Sequence, residues 1–217
     1  MESSGSEVLA AAREVIRREA RGVAAVAERL DDSFVEVVQL ASGCTGKVFV
    51  TGSGTNAAVA RRMAHLLAVC GTPTLFLPAM DALHGTMGAV ASGDVMITIS
   101  RGGESAELNE LAQRLRQRGV PVVALTAVPG STLGRLADVV VVLDTDDELD
   151  PGGVIAMGST LATSAWGDAL ACVLMRLRGY RWEDVLFTHP AGAVGTLDVL
   201  PAELPPLGLA DGPDAED

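Results

Sequence analysis

Aromatic side chains are nearly missing from this chain, at 3% of 217 residues, although 48% of it is hydrophobic. The core must therefore be built from Val, Leu, Ala and Ile, a composition suited to buried parallel strands covered by helices. Lysine is almost absent too: Lys47 is the only one beside 15 arginines. Any phosphate charge must be met by arginine, by backbone and hydroxyl dipoles, or not at all. Positive charge is short overall, and the formal net charge of −12 argues against nucleic acid or an anionic membrane as partner. No apolar run approaches the ~20 residues that a spanning helix needs. Cys44, Cys70 and Cys172 are scattered, with no CxxC spacing, and read as small hydrophobes of a reducing compartment. The opening Met1-Glu2-Ser3-Ser4-Gly5 has no basic-then-apolar pattern, so a secretory leader is not expected. These absences predict a cytoplasmic protein of one domain.

What the chain does have is one arrangement used three times: an apolar β-rich run, a Gly/Ser/Thr loop, then a helical pattern. Residues 47–51 run into Gly52-Ser53-Gly54-Thr55-Asn56, and residues 95–100 into Arg101-Gly102-Gly103-Glu104-Ser105. Residues 139–143 lead through an acidic stretch, 144–150, to Gly158-Ser159-Thr160. Helical periodicity covers residues 6–30 and 35–41, the second capped by Asp32 or Ser33. Helices are then expected over 57–70, 105–118, 132–137 and 159–177, with strands over 48–51, 74–77, 95–99, 122–126 and 139–143. The alternation predicts an α/β fold: a five-stranded parallel sheet of the doubly wound kind, flanked by helices and preceded by a helical hairpin (6–42). The sheet core spans 47–195 within a single domain of residues 1–196. Residues 197–217 are Pro-rich and acidic, and are expected to form a disordered tail.

Loops of this kind at the carboxyl ends of parallel strands offer N–H groups, hydroxyls and helix N-termini to an anion. Gly52-x-Gly54-x-x-Ala57 also matches a dinucleotide fingerprint, but the second strand ends Phe76-Leu77-Pro78 without the acid that would hold a ribose. Glu104 lies inside an anion loop. It either favours the dipole of the next helix or exchanges a proton with a substrate whose phosphate is held nearby. His84-Gly85 and His189-Pro190 place histidines in loops, where chemistry concentrates. No spacing supports a metal site.

Taken together, these segments resemble the sugar isomerase (SIS) domain, and within it the arabinose 5-phosphate isomerase branch. The resemblance runs over residues 8–195 and is carried by Val50-Thr51-Gly52-Ser53-Gly54, Ala82-Leu83-His84-Gly85-Thr86-Met87-Gly88, the loop from Ser100 to Ser105, and Glu148-Leu149-Asp150-Pro151-Gly152-Gly153. Gly167-Asp168-Ala169-Leu170 and Thr188-His189-Pro190-Ala191-Gly192 complete it. It implies Glu104, Glu148, His84 and His189 as the groups of ring opening and proton transfer. It also implies a phosphate seat at Ser53, Thr55, Ser100, Ser105, Ser159 and Thr160, with Gly52, Gly54, Asn56, Arg101 and Gly102 completing the loops.

Three departures stand out. Thr55 replaces the branch's loop lysine and Asn56 the serine after it; Arg101-Gly102 stands within its Ser-x-Ser-Gly loop; and Asp150 replaces the cysteine of its Cys-Pro-Leu-Gly. No CBS pair lies within the 217 residues. The expectation is an enzyme, an aldose–ketose isomerase of a phosphorylated sugar working through an enediol without metal or organic cofactor. Glu104 would be the base and Arg101 the phosphate's countercharge. A homo-oligomer, tetramer or dimer, would form through the N-terminal helices. The alternatives are a non-catalytic phosphosugar sensor and another SIS isomerase, of a hexulose phosphate or a phosphoheptose.

Overall fold

A computed structural model describes residues 4–209. The chain runs α1 (Gly5–Ala27), α2 (Asp32–Gly43), β1 (Val48–Gly52), α3 (Thr55–Val69), β2 (Thr74–Phe76), α4 (Ala79–Leu83), β3 (Val95–Ile99), α5 (Ala106–Gln117) and β4 (Val122–Thr126). It continues with α6 (Thr132–Leu136), β5 (Val139–Val142), α7 (Gly158–Leu177) and α8 (Trp182–Thr188). The strands form one parallel sheet of order β2-β1-β3-β4-β5. Every residue of β1, β3 and β4 is buried, as the Val-rich runs require of strands covered on both faces.

Alternation along the strands divides the core in two. Val48, Val50, Ile97, Val123, Leu125 and Val141 pack with α2, α3 and α7, around the fully buried Trp166. Phe49, Met96, Val122 and Ala124 face the opposite side, against α4, α5 and Leu133 of α6. Helices thus cover both faces, the doubly wound arrangement expected. Phe34 of α2 meets the Trp166 ring edge-on, with centroids 5.5 Å apart. A bidentate ion pair from Arg62 to Asp168, at 2.7 and 2.8 Å, ties α3 to α7.

In the N-terminal hairpin α1 runs along α7, whereas α2 packs on the sheet face, contacting α7 and β5. Gly22 of α1 is buried where a Cβ would fall 2.4 Å from the Leu149 side chain, so α1 is docked onto the segment after β5.

Several boundaries differ from expectation. The second helix starts at Asp32 because Asp31, one residue before the expected cap, accepts the Ser33 N–H at 3.0 Å. Strand β5 stops at Val142, and α3 begins at Thr55 straight after the positive-φ Gly54. Helix α8 lies outside the expected elements; its seven residues are too few to show a helical period. Residues 202–205, expected to be disordered, hydrogen-bond to the body. Trp182 Nε1 donates to Ala202 O at 3.0 Å and Arg176 Nε to Pro205 O at 2.6 Å. The rest of the predicted tail, 210–217, lies outside the described residues.

Candidate active site

The strand order reverses between β1 and β3, since β1 leads outward to β2 and β3 leads the other way to β4. A small crevice lined by Asn56, Arg101, Thr126 and Ser159 lies at the carboxyl edge of the sheet, the general ligand position of open α/β folds. The β1–α3 loop forms one lip. At Gly52 an added Cβ would fall 2.8 Å from Asn56 O, so only glycine lets the chain turn this tightly into α3. The β3–α5 loop forms the other lip. Ser100, 4% exposed, turns its hydroxyl inward to accept the Gly103 N–H at 3.2 Å. The Arg101 carbonyl accepts from Thr126 Oγ1 and from the Ala127 N–H, both at 2.9 Å.

At the N-cap of α3 Gly54 has no side chain to offer, and Ser105 at the N-cap of α5 makes no capping bond, although the Glu107 carboxylate in the first turn of α5 accepts its own N–H. Both helices start at the carboxyl edge of the sheet, so the positive ends of two helix dipoles meet there, a setting that suits an anion. Helix α7 differs. The buried Asp150 carboxylate accepts from Met157 N–H at 2.8 Å and Ser159 N–H at 3.0 Å, and Arg101 Nη1 stands 3.4 Å from its other oxygen. Burial pushes the Asp150 carboxyl upward, but the Ser159 and Met157 hydrogen bonds and the Arg101 charge outweigh it and hold it below the ordinary range. Arg101, expected to meet a phosphate, is thus engaged with Asp150. The Thr160 hydroxyl donates to Met157 O at 2.6 Å. Ser159 and Thr160 sit at a terminus that already holds a carboxylate.

The acids also separate. Glu104 is exposed and accepts the Thr132 N–H at 2.8 Å, at the start of α6. Hydrogen bonding from Thr132, assisted by the Arg135 charge, holds its carboxyl below the usual range. Glu107, in the first turn of α5 and outside the set expected from sequence, accepts a hydrogen bond from the Ser53 hydroxyl across the switch point. That bond, with its own N–H, lowers its pKa, so it is ionised at neutral pH. The sequence held one signal for it: Ser105-x-Glu107 places an acid in the helical turn facing the loop rather than before it.

Glu148 is exposed in the β5–α7 segment and borders, with Arg18, Arg21, Arg29 and Thr145, a cavity of about 270 Å³ beside α1. His84 closes α4 and is exposed. His189 Nδ1 lies 2.7 Å from Val185 O, an arrangement in which Nδ1–H donates to that carbonyl. Among the described residues neither histidine shares a hydrogen bond with the loops of the crevice. His189 follows α8, which the chain enters after leaving α7. Helix α7 starts at the carboxyl edge and runs ~30 Å to Tyr180, which packs on Gly71 before β2.

Comparison with known proteins agrees with this architecture. The SIS domain family matches residues 43–173, more than half of the chain. The chain belongs to the SIS domain family. This SIS domain is 38% identical over 188 residues to arabinose 5-phosphate isomerase GutQ of Salmonella typhi, covering 87% of this chain and 59% of that protein. It is 37% identical over 191 residues to arabinose 5-phosphate isomerase KdsD of Salmonella typhimurium, covering 88% and 58%. It spans about three fifths of the length of these curated relatives. A protein of E. coli CFT073, solved in complex with a phosphosugar, superposes with a TM-score of 0.83 at 28% identity, covering 87% of this chain and all of that one.

Proposed function

We propose that this SIS domain interconverts the aldose and ketose forms of a phosphorylated sugar, arabinose 5-phosphate or a close relative, through an enediol. The observation that carries the reading is the Ser53–Glu107 hydrogen bond, which sets an ionised carboxylate in the first turn of α5 against the β1–α3 loop. The phosphate binds at the starts of α3 and α5, on the N–H groups and hydroxyls around Thr55 and Ser105, with the Asn56 N–H already donated to Ser53 O at 3.1 Å. The sugar's first carbons then lie beside a proton acceptor.

Glu107 takes the proton from C2 and returns it to C1, as one positioned group can serve both carbons. Glu104 holds the start of α6, and with it the loop that Gly103 O shares with Leu133 N–H at 3.0 Å. His189, its ring held through Nδ1, assists ring opening and proton movement at the oxygens, with His84 and Glu148 flanking. With α7 ending at the far edge of the sheet before α8, His189 acts on the crevice of a second copy. A homo-oligomer, tetramer or dimer, follows. Val8, Leu9 and Ile16 on α1, each more than half exposed, supply an apolar stripe for it.

Support also comes from the relatives, whose names state arabinose 5-phosphate isomerase. Thr55, standing where the branch carries lysine, favours the second reading, a phosphosugar sensor without turnover. A panel of pentose, hexose and heptulose phosphates, followed by thermal shift and by turnover, separates the two. Stabilisation with turnover is expected; stabilisation without it refutes the enzyme.

A further inference from the structure

The cavity between α1 and the segment after β5 carries polar groups that the proposed reaction does not use. Its volume of about 270 Å³ approaches the ~300–1,000 Å³ of small-molecule sites. Leu143 is the one residue lining both it and the crevice, so the two are neighbours but separate. Two polar atoms of its lining, Arg18 Nε and Thr145 Oγ1, are buried with no hydrogen-bond partner among the described residues, and Thr145 is only 9% exposed. A guanidinium nitrogen can only donate, so Arg18 calls for an acceptor that the chain does not supply. Arg21 also lines the cavity, and among the described residues neither it nor Arg18 has an ion pair. Arg29, by contrast, donates to Asp144 O. The acids of the lining, Asp144, Asp146 and Glu148, are exposed to solvent, and Asp146 already accepts the Glu148 N–H at 3.0 Å. The buried groups therefore ask for an anion, and Ala25, Val26 and Leu149 offer it an apolar wall.

We infer that this cavity is a second binding site, for a small organic anion: Arg18, Arg21 and the Thr145 hydroxyl take a phosphate or carboxylate head, and an apolar body lies on Ala25, Val26 and Leu149. A buried donor left without an acceptor is costly, and a charged acceptor removes that cost with one of the stronger kinds of hydrogen bond. The bound anion joins α1 to the segment that follows β5. The exposed Leu9 and Ile16, offered above for assembly, lie half a turn round α1 from Arg18, so a second copy seated on them leaves the cavity open. The site does not depend on the phosphate seat at α3 and α5.

The test is calorimetric titration and melting of the whole chain with phenyl phosphate, with benzoate and, as the uncharged control, with phenol, each at millimolar concentrations. One or both anions should bind and raise the melting temperature, and phenol should do neither; the tighter anion identifies the head group. Arg18→Met keeps the apolar stem and removes the buried donor. Arg21→Ala changes an exposed side chain, so it folds even if Arg18→Met does not, and melting curves confirm it. Each variant should weaken the anion about tenfold or more, the scale of a hydrogen bond to a charged group. A binding component that both variants leave unchanged belongs to the crevice, and if no other component is found the inference is overturned. No binding of either anion overturns it and leaves the cavity to water. Phenol binding as tightly as the anions overturns it as well.

Discussion

Exchanging each of the two crevice acids for its amide should separate chemistry from scaffolding. In Glu107→Gln the amide oxygen still accepts from Ser53, and the side chain keeps its volume, so the fold loses little. What disappears is the proton acceptor that α5 sets against the β1–α3 loop. Proton transfer by a positioned group contributes ~100- to 10,000-fold, which corresponds to roughly 3–5 kcal/mol of barrier. Turnover should therefore fall by at least about 100-fold, while phosphosugar binding persists or tightens because a negative charge has left the phosphate's surroundings. Glu104→Gln loses the charge that faces the Thr132 N–H and Arg135. It should lower the melting temperature slightly and leave turnover within about tenfold of wild type, far short of the loss expected of a general base. Steady-state kinetics, ligand titration and melting on both variants decide the matter. The reverse pattern, with Glu104→Gln inactive and Glu107→Gln active, would refute the assignment and restore Glu104 as the base.

Three further outcomes follow from particular contacts. Ser53→Ala removes the hydrogen bond that lowers the Glu107 pKa; the acid limb of the kcat/KM profile, expected below the ordinary carboxylate range, should move to higher pH, and an unmoved limb would mean that another group titrates. Gly71→Ala puts a Cβ 2.4 Å from the Tyr180 ring at a φ of +83°, a clash and a left-handed strain that together cost ~2–4 kcal/mol, so a melting temperature unchanged in calorimetry would contradict the packing. Light scattering at micromolar concentration should show a dimer or tetramer that Ile16→Glu weakens, and a wild-type monomer would rule out a shared site.

The fold was legible because its signals are local. Val-rich runs bounded by Gly, Pro and Thr mark buried strands, and β3 (Val95–Ile99) and β4 (Val122–Thr126) have the expected ends. Loop chemistry at the carboxyl edge was legible for the same reason. Partners distant in sequence were not. Glu107 meets Ser53 across 54 positions, and nothing near either residue announces the other. Glu104 stood out as an acid within a glycine loop, yet its partner is the N–H of Thr132, 28 residues on. Asp150 stood out only as a departure, since its meaning depends on α7 folding back to present Met157 and Ser159. The 202–205 segment looked unable to fold by itself; it is held by Trp182 and Arg176, which belong to other elements.

The central claim is that Glu107 moves a proton between two carbons of a bound phosphosugar. Turnover of arabinose 5-phosphate in deuterium oxide, followed by NMR, tests it most directly. Deuterium should enter the sugar at the carbon beside the carbonyl in wild type and in Glu104→Gln, and should fail to enter in Glu107→Gln. Binding of the sugar by the wild-type protein with no isomerisation and no deuterium incorporation would contradict the account.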